Sequence, residues 1–276
     1  MEDERGVDSA RWTATNLVGV PASLLAGTAF NAAPQPLHVA GVREAHAGLF
    51  ERLARCEGLA EARKVFARHM SESFALTPLP VLQDAAADPP HRWRPSYLKL
   101  LQGWGLDANG GAGAVLKGWA QSRFGVIPVF HKVALGRFPS PAWVAYLEEK
   151  AANRYEGNYV FHQLDLLFEF CQWALARHGL LGAGPRATLW RGSNRCEEQI
   201  VAGSLRQRHC TVRLNSVVSF STTREQAGCF GDWLLRAEVP LAKLLLVPGL
   251  LDTNSLRGEA EVLAIGGLYE VEARYA

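Results

Sequence analysis

The chain has 276 residues, 48% of them hydrophobic, and a formal charge of +2. That is enough apolar material for a sizeable core, and too balanced a charge to argue for a nucleic-acid or membrane partner. Five scattered cysteines, never in the close pairs that zinc or iron–sulfur ligation uses, fit reduced thiols in a cytoplasmic protein and give no metal site.

In chain order, residues 16–33 come first as a small, apolar stretch with the look of a secretory signal. The acidic start MEDER argues against that reading, and Pro21 and Gly27 break the stretch before it is long enough to span a bilayer. From about 41 to 179 the apolar residues recur at helical spacing, interrupted by a loop-like DAAADPP at 84–90. Ser140-Pro141 reads as an N-cap with proline at the first helical position, opening a helix that Gly157 closes. The next helix carries Val160, Leu164, Leu167, Phe168, Cys171 and Leu175 on one stripe, has Arg177 and His178 in its last turn, and stops at Gly179.

After the Gly-Ala-Gly-Pro stretch at 182–185 the period changes, and short strands are predicted at 187–190, 211–221, 233–239, 243–247, 262–265 and 269–275. One or two helical turns at 224–230 interrupt them, with Thr223 and Gln226 at capping-box spacing. The expected class is α+β. A mainly helical region at 1–185 precedes a β-rich core at 186–276, the two forming separate units or one compact domain.

Three features in the β-rich half carry chemistry. Arg191 follows the strand Ala-Thr-Leu-Trp and precedes Gly192; Ser219-Phe220-Ser221-Thr222-Thr223 comes about thirty residues later; Glu259-Ala260-Glu261 opens the last apolar strand. Strand alternation places Glu259 and Glu261 on one face, where two like charges repel and contribute nothing to folding. Such a pair suits a cationic or carbocation-like ligand better than a scaffold. Taken singly, a strand-end arginine is usually a surface ion pair, a Ser/Thr run a turn or cap, and a Glu-x-Glu a coincidence.

In this order, each at a strand edge, they resemble the Arg-Ser-Glu signature of mono-ADP-ribosyltransferases that modify arginine. The likeness extends to 16–44, LLQGWG at 100–105, AVLKGW at 114–119, 122–125, SPAW at 140–143, QLDLLFEFCQWALAR at 163–177, 189–192, 229–232 and 258–267. Over nearly the whole chain these blocks are similar to the dinitrogenase reductase ADP-ribosyltransferase family. The resemblance implies two packed sheets with NAD in the cleft between them, and transfer of ADP-ribose from NAD to one arginine of the nitrogenase iron protein, with release of nicotinamide. It gives Glu261 the oxocarbenium-like sugar, Arg191 the forked bonds to phosphate or ribose oxygens, and Glu259 the acceptor guanidinium. Ser221 is the hydroxyl expected to fix Glu261, with Ser219 as the alternative; Gly192, Thr222 and Thr223 complete the NAD-binding set, Thr223 departing from the family's serine. The implied partners are the ADP-bound iron protein and a PII-type nitrogen-signalling protein, and the implied compartment is the cytoplasm.

An NAD glycohydrolase, a transferase acting on another protein's arginine, and a non-catalytic module of the same fold are the rival readings. Gly103-Trp104-Gly105, followed by NGGAG at 109–113, lacks a preceding strand and the GxGxxG register, and reads as a turn between helices. Lys117 has no Walker spacing, and the histidines show no paired ligand spacing. The tryptophans, Trp104 among them, read as packing for the helical half, with Trp190 a candidate border of the NAD site.

Overall fold

The computed structural model describes residues 16–76, 95–194, 196–251 and 260–275. Glu259, the loop at 84–90 and the acidic first residues lie outside them. Helices α1 (Ala22–Leu25), α2 (Thr28–Ala32), α3 (Val42–Ala45), α4 (Ala47–Ala54), α5 (Leu59–Ser73), α6 (Tyr97–Leu106) and α7 (Gly111–Phe124) lead to a small hairpin, β1 (Phe130–His131) and β2 (Val133–Ala134). Then come α8 (Pro141–Ala151) and α9 (Asn158–His178), followed by β3 (Arg186–Ser193), β4 (Ile200–Gly203) and β5 (His209–Ser221). The chain ends with α10 (Arg224–Gly228), β6 (Trp233–Pro240), β7 (Leu244–Leu246) and β8 (Glu261–Tyr275).

Helix α9 is the axis of the helical part. All six residues of its predicted stripe are buried, and Gly179 ends it in the left-handed conformation at φ 60°. Two carboxylates are buried with it, and each is satisfied. Asp165 accepts from Trp119 Nε1 at 2.8 Å and from both Nε and Nη2 of Arg123, at 2.9 and 3.0 Å. Glu169 accepts from the Val39 backbone N–H at 2.7 Å and from Arg43 Nε, which ties the segment before α3 to this helix. Ser140 caps α8 through the Trp143 N–H as expected, but α8 ends at Ala151. Gly157, read as its stop, instead opens α9 at φ 141°, a conformation that side chains resist.

A single six-stranded sheet, entirely antiparallel, replaces the two sheets expected from the sequence. The reason is the length of β5 and β8, of 13 and 15 residues. β5 runs along one edge of β8 from Ser221↔Glu261 to His209↔Glu272, while β6 and β7 share the other edge. β3 pairs with β6 over its full length and touches β5 at Trp190↔Ser221, so the sheet curls and closes through continuous hydrogen bonding. The register slips between Leu214 and Val217, where a bulge bends β5. Gly266, opposite that bulge, has no room for a Cβ because the Asn215 carbonyl lies against it. This is why 262–265 and 269–275, predicted as two strands, form one.

One buried cluster runs through both parts of the chain, joining Phe66, Trp119 and Leu167 to Val218, Leu235 and Ile265. Among the described residues no helix is long and apolar enough to cross a membrane.

Candidate active site

The sheet register brings the motif residues together. Trp190 on β3 pairs with Ser221 on β5, and Ser221 pairs with Glu261 on β8, forming a row across three strands. Ser219 lies on the same face of β5 as Ser221 and diagonally opposite Glu261, a separation that polar side chains span. Its hydroxyl donates to Glu261 Oε1 at 2.6 Å. This short, charge-assisted bond orients the carboxylate. Ser221, expected to hold Glu261, turns elsewhere: its Oγ lies 3.4 Å from Gln226 Oε1 and accepts from the Thr223 N–H at 3.3 Å. The alternative serine is the one on the acid.

Arg191 approaches the same point from the end of β3. Its Nη1 donates to the Ser219 carbonyl at 2.8 Å, and its buried Nε has no hydrogen-bond partner among the described residues. Burial pulls the guanidinium below its ordinary value while the charge of Glu261 acts in the opposite direction. A buried donor without an acceptor is costly, which sets the Nε side of this guanidinium apart from its paired Nη1.

These groups surround a cavity of about 320 Å³ lined by Trp104, Trp190, Arg191, Ser219, Ser221 and Glu261, with Phe230 and Ala227 on one wall. That is at the lower end of the range for ligand pockets. Gly192 also lines it, for a packing reason: a Cβ there would strike the Ala227 carbonyl of α10. Thr222 donates its N–H to the Ala260 carbonyl at 3.2 Å, and Thr223 caps α10 through the Gln226 N–H. Neither belongs to the cavity wall. Glu259, expected to share a face with Glu261, is outside the described residues; Ala260, just before the strand's first residue, is left-handed at φ 45°.

Sequence reasoning missed one wall residue with a polar contact. Trp104 belongs to α6, and its indole Nε1 lies 3.1 Å from Ser219 Oγ and 3.3 Å from Glu261 Oε1. The Gly-Trp-Gly run that pointed to it was read as a turn, whereas it lies within the helix.

A wider hollow of about 380 Å³ crosses β4, β5, β6 and β8. Its Arg236 pairs with Glu238 at 3.1 Å, and none of the motif residues lines it. The described residues contain no group of three or more His, Cys, Asp or Glu placed to hold a metal.

The chain is thus an α+β protein whose closed antiparallel sheet holds a carboxylate, a hydroxyl and a guanidinium around one cavity of about 320 Å³. A family model described as dinitrogenase reductase ADP-ribosyltransferase matches residues 15–273, and the chain belongs to that family. It is 44% identical over 277 residues to a curated protein of Rhodospirillum rubrum named "NAD(+)--dinitrogen-reductase ADP-D-ribosyltransferase", covering 99% of this chain and 98% of that one. No solved structure matches it.

Proposed function

We propose that this protein transfers ADP-ribose from NAD to a specific arginine of dinitrogenase reductase, the nitrogenase iron protein, and so switches nitrogen fixation off reversibly. The observation that carries the reading is the Glu261 carboxylate, fixed by the Ser219 hydroxyl at 2.6 Å in a cavity that Arg191 also lines. It occurs in a chain 44% identical, end to end, to a protein named for that reaction.

Breaking the bond between nicotinamide and ribose leaves positive character on the sugar, so the site needs a fixed anion beside it. Glu261 supplies that charge. Arg191 receives phosphate or ribose oxygens on its guanidinium, a task for which a lysine has the wrong geometry. Phosphate and sugar oxygens match the donor set, so the residues present fit NAD as a substrate. Glu259 is assigned to the acceptor, where it would orient the guanidinium and take up the proton released as the new carbon–nitrogen bond forms and nicotinamide departs with the electrons of the old one. Ser221 and Thr223 support the site through α10, and Gly192 lets that helix approach β3.

The finer reading follows the family resemblance. The target is the ADP-bound iron protein, a PII-type protein activates the enzyme, the helical region at 1–185 provides much of the recognition surface, and the reaction takes place in the cytoplasm. Mass spectrometry of purified, ADP-bound iron protein after incubation with NAD and this enzyme tests the proposal. One ADP-ribose on one arginine is expected; free ADP-ribose with unmodified iron protein would instead indicate a glycohydrolase.

A further inference from the structure

The glycine-rich run at 103–113 performs a task that neither its sequence nor the reaction chemistry assigns. Trp104 is 4% exposed although it lines the cavity, and its indole N–H is shared between Ser219 Oγ and Glu261 Oε1. An indole nitrogen only donates. With the Ser219 hydroxyl also donating to Oε1 at 2.6 Å, two donors meet on one carboxylate oxygen. That arrangement favours the ionised acid and fixes the plane in which it lies.

The glycines place the indole there. Residues 97–106 and 111–124 meet at a tight corner in which a Cβ on Gly103 would come within 2.7 Å of Ala112 Cβ, and one on Gly113 would strike the Ala108 carbonyl. Side chains at these positions would force α6 and α7 apart and displace Trp104 with α6. The corner is further tied by the Asn109 N–H to Asp107 Oδ1 at 2.8 Å and by Lys117 Nζ to Asn109 Oδ1 at 3.2 Å. Gly105, in the last turn of α6, and Ala108, in the turn that follows it, form part of the cavity wall.

We infer that Trp104 is a positioning residue for the reaction: the α6–α7 corner holds its indole N–H on Glu261, keeping that carboxylate ionised and aimed at the substrate sugar. The inference rests on the function proposed above, and two measurements separate the failure of one from the failure of the other. The first needs no turnover. In a proton–nitrogen correlation spectrum of the full chain, the indole signal lost in Trp104→Phe should shift as Glu261 is titrated and move in Glu261→Gln. An indole signal indifferent to both would overturn the contact, whatever the enzyme's activity.

The second measurement is kinetic. Trp104→Phe keeps an aromatic ring and removes the donor, so kcat should fall about ten- to a hundredfold, the effect expected for one hydrogen bond to a charged group, while KM for NAD stays within about threefold. The acid limb of the kcat profile should move to higher pH, which a purely structural role would not produce. A wild-type rate and limb in Trp104→Phe, or a rate loss with an unmoved limb, would overturn the role. Absence of transfer by the wild-type enzyme would instead reject the proposed function.

Discussion

The sheet and the helical part both contribute to the Glu261 cavity, by different means. In the sheet, position follows from register: Trp190, Ser221 and Glu261 stand in one row because their strands pair there, and Ser219 reaches Glu261 across the diagonal. In the helical part, position follows from close packing, with Gly103 and Gly113 letting α6 and α7 meet so that Trp104 reaches the same carboxylate. Register is a property of long stretches and tolerates a local change. A packed corner depends on single atoms.

Outside the acid itself, the largest effect expected in the sheet is a test of where register ends and packing begins. Gly192→Val would drive a side chain into the Ala227 carbonyl of α10. It should lower stability by about 2–3 kcal/mol, read as a lower midpoint in thermal unfolding, because an overfilled contact against backbone cannot be relieved by rotating a side chain. An unchanged midpoint would mean that α10 is free to shift, and that the wall it forms is not fixed by β3.

The two serines sharpen the comparison within a single strand. Ser219→Ala removes the shorter of the two donors on Glu261 and should reduce kcat about ten- to a hundredfold, whereas Ser221→Ala, which loosens contacts with Gln226 and Thr223, should reduce it about two- to tenfold. The reverse order would return the central role to Ser221.

The smallest effect lies where the two parts touch. Lys243 is fully buried, its ammonium 2.7 Å from Asn31 Oδ1 near the rings of Phe30 and Tyr269, with no carboxylate paired to it among the described residues. Burial pulls its pKa from 10.5 to about 7. Above pH 10.5 both folded and unfolded chains hold it neutral; as pH falls toward 7 only the unfolded chain takes up the proton, so this contribution to stability declines with falling pH and levels off below it. Lys243→Met should flatten that slope in denaturant titrations between pH 7 and 10. An unaltered slope would show that Lys243 is charged in the folded protein.

Much of this was legible in the sequence, and the omissions share a cause. The stripe of α9, the Ser140 and Thr223 caps and the strands at 211–221 and 233–239 follow from periodicity and capping, which are local. Arg191, the serines and Glu261 were recognisable as strand-edge polar groups of the right order and chemistry. What local pattern could not show is which atoms meet. The choice between Ser219 and Ser221 depends on a diagonal across two strands, and Trp104 lies far from Glu261 in sequence. The glycines misled for the same reason: Gly157 starts a helix, and Gly266 marks a close approach inside a continuous strand.

Glu261 supplies the charge on which the proposed reaction depends. Release of nicotinamide from NAD by the wild-type enzyme and by Glu261→Gln, with NAD binding measured in both, tests it most directly. A loss of at least about 10³-fold in release with binding retained is expected, since the amide keeps the shape of the acid and loses its charge. Release at the wild-type rate from a Glu261→Gln enzyme that still binds NAD would contradict it.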